Sequence, residues 1–320
     1  MAENKAHMTG EIGRPPESPP VSNAADSNKI ARDYFDSMLI QYQFIGARLA
    51  DSKTEILGKT LNMPIMPGGM SAMLLNAMYK DGVAEMARGA LQAGTIMWSG
   101  FCADEEFERA LEVGVPAIRI IKPMQDEERI LRHIKHDEEH GALAFSMDID
   151  HGIDDDGGYY RTRGNVYTDL EPKSPEQLKR YVDSTTLPFI AKGVIGPRDA
   201  ELALEIGAKG ILLTHHMGEH KWSVPPLMAL QQIRKVVPKD FPVFVDGNIT
   251  DGADVYKAMA LGATGVCVAR PLTKVLKQGG ADGVTEYLNK MNGELKSYMG
   301  MTNVPDTRSF YPEAIVFRNF

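Results

Sequence analysis

Cysteine is scarce in this chain. Its 320 residues include two, Cys102 and Cys267, far apart and outside any CxxC pair. That excludes a disulfide-stapled scaffold and a zinc ribbon. It points to a reducing compartment, so a cytoplasmic protein is expected. Positive charge is also in deficit: 35 Lys and Arg against 43 Asp and Glu leave a formal net charge of −8. Such a chain has no general attraction for nucleic-acid phosphates, and no nucleic-acid partner is expected. No apolar run approaches the ~20 residues of a membrane span. The first residues hold no apolar signal core either, so neither a membrane nor a secretory leader is expected. An HExxH zinc motif and a GxGxxG dinucleotide loop are both missing. What is there, 43% hydrophobic and 24% charged residues, is the composition of a globular chain that can bury a sizeable core.

Residues 1–27 are polar, with Pro15, Pro16, Pro19 and Pro20 close together, and read as a disordered tail. Residues 28–302 read as one domain, and 303–320 as a C-terminal extension. Within the domain, eight short apolar runs recur: Met63–Pro67, Thr95–Trp98, Ala117–Ile121, Leu143–Met147, Phe189–Lys192, Ile211–Thr214, Val243–Asp246 and Val266–Ala269. They are mostly not alternating, as in strands buried on both faces. Between them lie helical spacings, such as Val83, Met86, Ala87, Ala90 and Leu91. Gly94, Gly114, Gly141, Gly207 and Gly262 each close a helical stretch ahead of a run. Eight such units predict an α/β fold of the (β/α)8 TIM-barrel type, with an open doubly wound sheet as the rival. The longest interval, between Phe145 and Ile190, predicts an extended loop containing Asp154–Asp156, Gly157, Gly158, Tyr159 and Tyr160.

In such a barrel the chemistry sits where the strands end. The first two runs end in Pro67-Gly68-Gly69 and in Trp98-Ser99. The fourth is followed by Asp148 and Asp150, and the fifth ends in Lys192-Gly193. The sixth leads into His215-His216-Met217-Gly218-Glu219-His220. The seventh and eighth end in Asp246-Gly247-Asn248 and Ala269-Arg270-Pro271. Glycine-rich ends also serve as plain turns, and a terminal lysine is commonly solvated. Three histidines in six residues suggest a metal. Adjacent His215 and His216, however, point to opposite sides of an extended segment, so no metal is expected. The last two strand ends offer backbone amides and the Arg270 guanidinium, a site suited to a phosphate.

Taken in order, Pro188–Gly193, Asp199-Ala200, His216 with Gly218, Asp246-Gly247, Gly252–Ala263 and Arg270-Pro271 resemble the FMN-dependent 2-hydroxy acid oxidase and dehydrogenase family, in which glycolate and lactate oxidases belong. The resemblance spans about residues 50 to 302 and is strongest from Lys192 onward. It implies a TIM barrel with FMN at its mouth and a small-molecule substrate. By resemblance Lys192 lies near the flavin N1–C2=O edge, and Ala269 and Arg270 hold the phosphate. Asp246, Gly247 and Asn248 line the phosphate loop; Pro67, Gly68, Gly69, Ser99 and Ser146 contact the flavin. His216 is then the general base and Asp148 the carboxylate that orients it. A homo-oligomer, a tetramer, is also implied.

The departures concern the substrate. Glu219 stands where the family has the arginine that grips a substrate carboxylate. Arg119 and Lys122 occupy the segment that normally carries a glutamine and a tyrosine. Thr250 replaces a phosphate-binding arginine, which leaves Arg270 alone. The flavin half is retained and the substrate half rewritten, so an atypical substrate is expected. Arg161 or Arg163 from the long loop offer an escape, as do Lys122 and Arg119. The alternatives are a non-redox FMN isomerase of the type 2 isopentenyl diphosphate isomerase kind, and a flavin-binding protein without catalysis.

Overall fold

The computed structural model describes residues 24–154, 156–160 and 169–318. The eight apolar runs become eight short parallel strands: β1 (Ile65–Pro67), β2 (Met97–Ser99), β3 (Ala117–Ile121), β4 (Ala144–Asp148), β5 (Phe189–Lys192), β6 (Gly210–Leu213), β7 (Val243–Asp246) and β8 (Gly265–Val268). From β2 to β8 each strand pairs with its neighbour in sequence, and β8 pairs with β1, Val266 opposite Ile65. The remaining seam, between β1 and β2, is bridged just past the strands by Met70 and Ser99. This is the (β/α)8 barrel. A doubly wound sheet would reverse its strand order, and this one does not.

Strand side chains alternate between two cores. Met66, Trp98, Ile118, Ile120, Leu212 and Phe244 fill the barrel, whereas Met97, Ala117, Phe145 and Ile211 face the helices. A hairpin, Thr54–Ile56 with Lys59–Leu61, adds Ile56 and Leu61 to the inner core. Its two-residue turn has positive φ at Leu57 and Gly58, which matches the twist of the flanking strands.

Four helices border the barrel mouth or support the strands around it: α1 (Ser27–Asp36), α2 (Asp104–Glu112), α3 (Glu127–Glu139) and α4 (Arg270–Met301), the last broken at Gly280. Helix α1 starts where the tail was expected to end. Asp26 caps it by accepting from Asn28 N and Lys29 N, and Ala25 and Ser27 are buried. Residues 25–27 are therefore packed, because the cap and an apolar side chain anchor them. The rest of the expected tail, 1–23, lies outside the described residues. At the other end Ile315–Phe317 pairs antiparallel with Met38–Ile40, so the C-terminal extension folds back onto the N-terminal segment. In the long loop, Asp155, Arg161 and Arg163 lie outside the described residues.

Candidate active site

The ends of β3, β4, β5 and β6 bring four charged or titratable side chains together. Lys192 Nζ donates to Asp148 Oδ1 at 2.6 Å, and Lys122 Nζ donates to Asp148 Oδ2 at 2.7 Å. Both lysines are nearly fully buried, which is tolerable only because each is paired. Burial disfavours the Asp148 charge, but Lys122 and Lys192 outweigh it and hold the carboxyl well below its usual range. Burial likewise opposes the Lys192 charge, and Asp148 and Asp150 overcome it, raising its pKa.

His216 follows β6 in a single 3-10 turn, with φ of 50°. Its Nδ1 lies 3.2 Å from Asp150 Oδ2, 3.3 Å from Lys192 Nζ and 3.9 Å from Asp148 Oδ1. The carboxylate that orients it is therefore Asp150 rather than the expected Asp148, whose two oxygens are held by the lysines. Burial, reinforced by Lys192, pushes His216 down to about 4 against the pull of the two carboxylates. Asp150 is itself held down at about 2: burial opposes its charge, but His216 outweighs it. The close packing depends on Gly193, with φ of 98°. A Cβ there would lie 2.5 Å from the Asp150 Cγ.

Glu219 faces this cluster. His151 Nε2 is 3.0 Å from its Oε2, and Tyr160 donates its hydroxyl to Oε1 at 2.9 Å. The His151 ring stacks on Tyr160, its Nδ1 is 2.6 Å from Lys122 Nζ, and its centroid is 3.7 Å from that of His216. Burial works against the Glu219 charge, but His151 and His216 keep its carboxyl at about 2. Together Lys122, Asp148, His151, Tyr160, Lys192, His216 and Glu219 line a chamber of about 290 Å³. Asp148, His151 and His216 have ligand atoms within 4.8 Å of one another, as a metal site would. Two ammonium groups on Asp148, however, make it a poor seat for a cation.

A second chamber of about 400 Å³ adjoins the first and shares Gly69, Lys192 and His216 with it. Asp246, Gly247, Asn248, Ala269 and Arg270 line it. Arg270 Nη2 donates to Asn28 Oδ1 at 2.6 Å and to Asn248 Oδ1 at 3.1 Å. Arg270 is not alone: Lys274, one turn further along α4, lines the same chamber. Gly69 permits the close approach at the junction, since a Cβ there would fall 2.1 Å from Ile120 Cδ1. Gly68 N donates to Val268 O at 2.7 Å and seats the backbone after Pro67 against Ala269 and Cys267. Two cations beside the start of a helix suit a phosphate monoester, and the glycine-floored junction at Lys192 suits a flat ring. These residues fit FMN.

Two of the expected contacts, Arg119 and Ser99, face the helices. Ile118 and Ile120 point into the barrel, so Arg119 between them must face the helices. It is 2% exposed and bonds Asp104 Oδ1 (2.7 Å), Asp137 Oδ1 (2.9 Å) and Cys102 O (2.8 Å). Ser99, next to inward-facing Trp98, turns outward for the same reason, its hydroxyl 3.5 Å from Cys102 Sγ. Ser146 is fully buried two residues before Asp148 and donates to Ile190 O. His215 faces away from His216's partners and accepts from Gly218 N at 2.8 Å. Asp150, His151, Tyr160 and Lys274 gain roles here that the sequence alone does not give them. The signal for them in the sequence is the dense run Asp148-Ile149-Asp150-His151 and the one-turn spacing of Arg270 and Lys274.

A parallel barrel whose mouth pairs a phosphate chamber with an acid–base cluster is the plan of a flavin-dependent oxidoreductase. The chain belongs to that class through the FMN-dependent dehydrogenase family, whose family model matches residues 22–158 and 162–317. Glycolate oxidase 3 of Arabidopsis thaliana is 31% identical over 297 residues, 81% of this chain and 78% of its own. A 2-hydroxyacid oxidase of Dictyostelium discoideum is 44% identical over 133 residues, 40% of this chain and 34% of its own. A solved structure of mandelate oxidase, 23% identical, shares the fold with a TM-score of 0.81 over 92% of each chain. The protein is an FMN-dependent enzyme related to the 2-hydroxy acid oxidases.

Proposed function

We propose that the enzyme oxidises a CH–OH group, or a similar amine, of a small molecule that presents a neutral or cationic group to Glu219. FMN held by the Arg270 chamber would supply the acceptor for the two electrons leaving the substrate carbon. The chain's own residues handle the proton and the charge. His216, neutral at pH 7, accepts the substrate proton. Asp150 accepts from its Nδ1–H, which leaves the Nε2 lone pair for the substrate and stabilises the imidazolium that forms. Lys192, buried and cationic between the chambers, stabilises negative charge at the flavin edge. Asp148 acts at one remove, holding Lys122 and Lys192 in place and favouring the charge on Lys192.

The observation that carries the substrate reading is Glu219 in the same chamber as His216. A 2-hydroxy acid needs a cationic clamp there, and bidentate arginine serves best. Here a carboxylate occupies the wall. Arg119 is turned away, and Lys122 is already bound by Asp148 and His151. The same two bound ammonium groups argue against a diphosphate cradle of the isomerase kind. Anaerobic bleaching of the flavin by a panel of candidates tests the proposal. Neutral alcohols and amino alcohols should bleach it, and glycolate and L-lactate should do so poorly. In Glu219→Arg the small 2-hydroxy acids should gain. Efficient bleaching of the unaltered enzyme by L-lactate or glycolate would sink the idea.

The same proposal includes a cytoplasmic homo-oligomer, a tetramer. Its support is the exposed apolar segment with Phe44, Ile45 (93% exposed) and Leu49 (99%), surface that a subunit contact would cover. Light scattering on the eluting peak should give about four times the 35.2 kDa of one chain. A monomer would refute this part.

A further inference from the structure

Outside the barrel mouth, α2 and α3 lie side by side and carry a second cluster of titratable groups. Glu108 of α2 faces His136 of α3 and His140, the residue that ends α3. His136 Nε2 is 2.7 Å from Glu108 Oε1, and His140 Nε2 is 3.5 Å from the same oxygen. The two imidazoles, four residues apart, stack with centroids 4.2 Å apart and planes 22° apart, so their Nε2 atoms point the same way. Each outer nitrogen has an acceptor. His140 Nδ1 is 2.8 Å from His136 O, and His136 Nδ1 is 3.4 Å from Oδ1 of the buried Asp137. Imidazoles that ligate metals are held in this way: an acceptor on one nitrogen fixes the tautomer and turns the other toward the ion.

Two imidazoles thus converge on one oxygen of Glu108, which brings three ligand atoms to one spot. We infer that Glu108, His136 and His140 form a site for a divalent transition ion of the zinc type. Each offers one ligand atom, and the three lie within 4.8 Å of one another. A tetrahedral zinc ion with bonds near 2.0–2.1 Å wants its ligand atoms about 3.3 Å apart. The observed 2.7 and 3.5 Å lie on either side of that, so small side-chain rotations complete the geometry. Glu108 and His140 are partly exposed, leaving the fourth position to water. The ion would tie α2 to α3 directly outside the Arg119–Asp137 pair, bracing the layer that supports β3.

Zinc sulfate titrated into the FMN-loaded enzyme, followed by calorimetry, tests the inference. The wild type should take up one equivalent that survives His216→Ala, which disrupts the cluster at the mouth. Affinity should fall at least tenfold in His140→Ala and in Glu108→Gln. Zinc should raise the melting temperature of the wild type and leave that of His140→Ala unmoved, because an ion that binds only the folded state stabilises it. His140 is 43% exposed, so its removal should leave the zinc-free melting temperature unchanged, which verifies that the variant is folded. No saturable zinc uptake by the wild type, or equal uptake by His140→Ala and Glu108→Gln, overturns the site.

Discussion

Burial and Lys192 keep His216 unprotonated, and so able to act as a base, well below neutral pH. The sign of the consequence is fixed. A histidine with a folded pKa near 4 stays competent as the solution is acidified. The acid limb of flavin reduction should therefore have its midpoint near pH 4, and a midpoint near 6.5 would contradict the arrangement. The same group binds a proton more readily in the unfolded chain, so stability should fall as pH drops from about 6.5 toward 4. Replacing His216 by Ala should slow substrate-driven flavin reduction ~10²–10⁴-fold with FMN still bound. Asp150→Asn should cost roughly 10²-fold and move the acid limb lower still, since the carboxylate supports the protonated form. His215→Ala should cost less, and equal losses at both histidines would misplace the base. Lys192, Asp148 and His216 are visible in the sequence because each ends or follows a strand. The roles of Asp150 and His151 are not, because which of several carboxylates reaches a histidine is decided by tertiary geometry: the two lysines claim Asp148 first.

The eight strands can be read from short runs bounded by glycine and proline, but not the direction in which each side chain points. A run without polar and apolar alternation leaves open which residues face the barrel and which the helices, and one charged residue within it does not decide the side. Arg119 and Ser99 lie on the side opposite to the expected one for that reason. Once Ile118 and Ile120 are inside, Arg119 must join β3 to α2 and α3 through Asp104 and Asp137. Arg119→Met leaves buried Asp137 without its guanidinium, with only His136 at 3.4 Å, and should cost ~3–5 kcal/mol in urea unfolding. The double change with Asp137→Leu should recover much of that loss, and no recovery would mean that packing rather than charge is at stake. Helix α4 carries the phosphate end. Arg270→Ala should weaken FMN binding by ~1.5–3 kcal/mol, as expected for a charged hydrogen bond, measured by fluorescence titration of the apoprotein. Lys274→Ala should also weaken it, and an unchanged affinity there would return Arg270 to the lone role the sequence suggests.

For the molecule as a whole, the barrel is readable because its units are local: each strand and helix is contiguous, and neighbours in sequence are neighbours in space. The closure of the chain on itself is not. Met38–Ile40 and Ile315–Phe317 are short, and nothing near either names the other as partner. Helix α1 follows the same rule. Arg32 pairs with Asp254 and donates to Asn248 O, and Asn28 meets Arg270, so the N-terminal segment roofs the phosphate chamber with bonds to residues more than 200 positions away.

That roof sets an order in time. During synthesis, Asn28 leaves the ribosome 242 residues ahead of Arg270, and at ~5–20 residues per second it waits many seconds for its partner. The walls of the chamber, Asn248, Ala269, Arg270 and Lys274, emerge last and include the residues on which α1 docks, so chamber and roof are completed together. Cofactor loading then belongs to the newly released chain, and the helix made first is among the last elements to find its place.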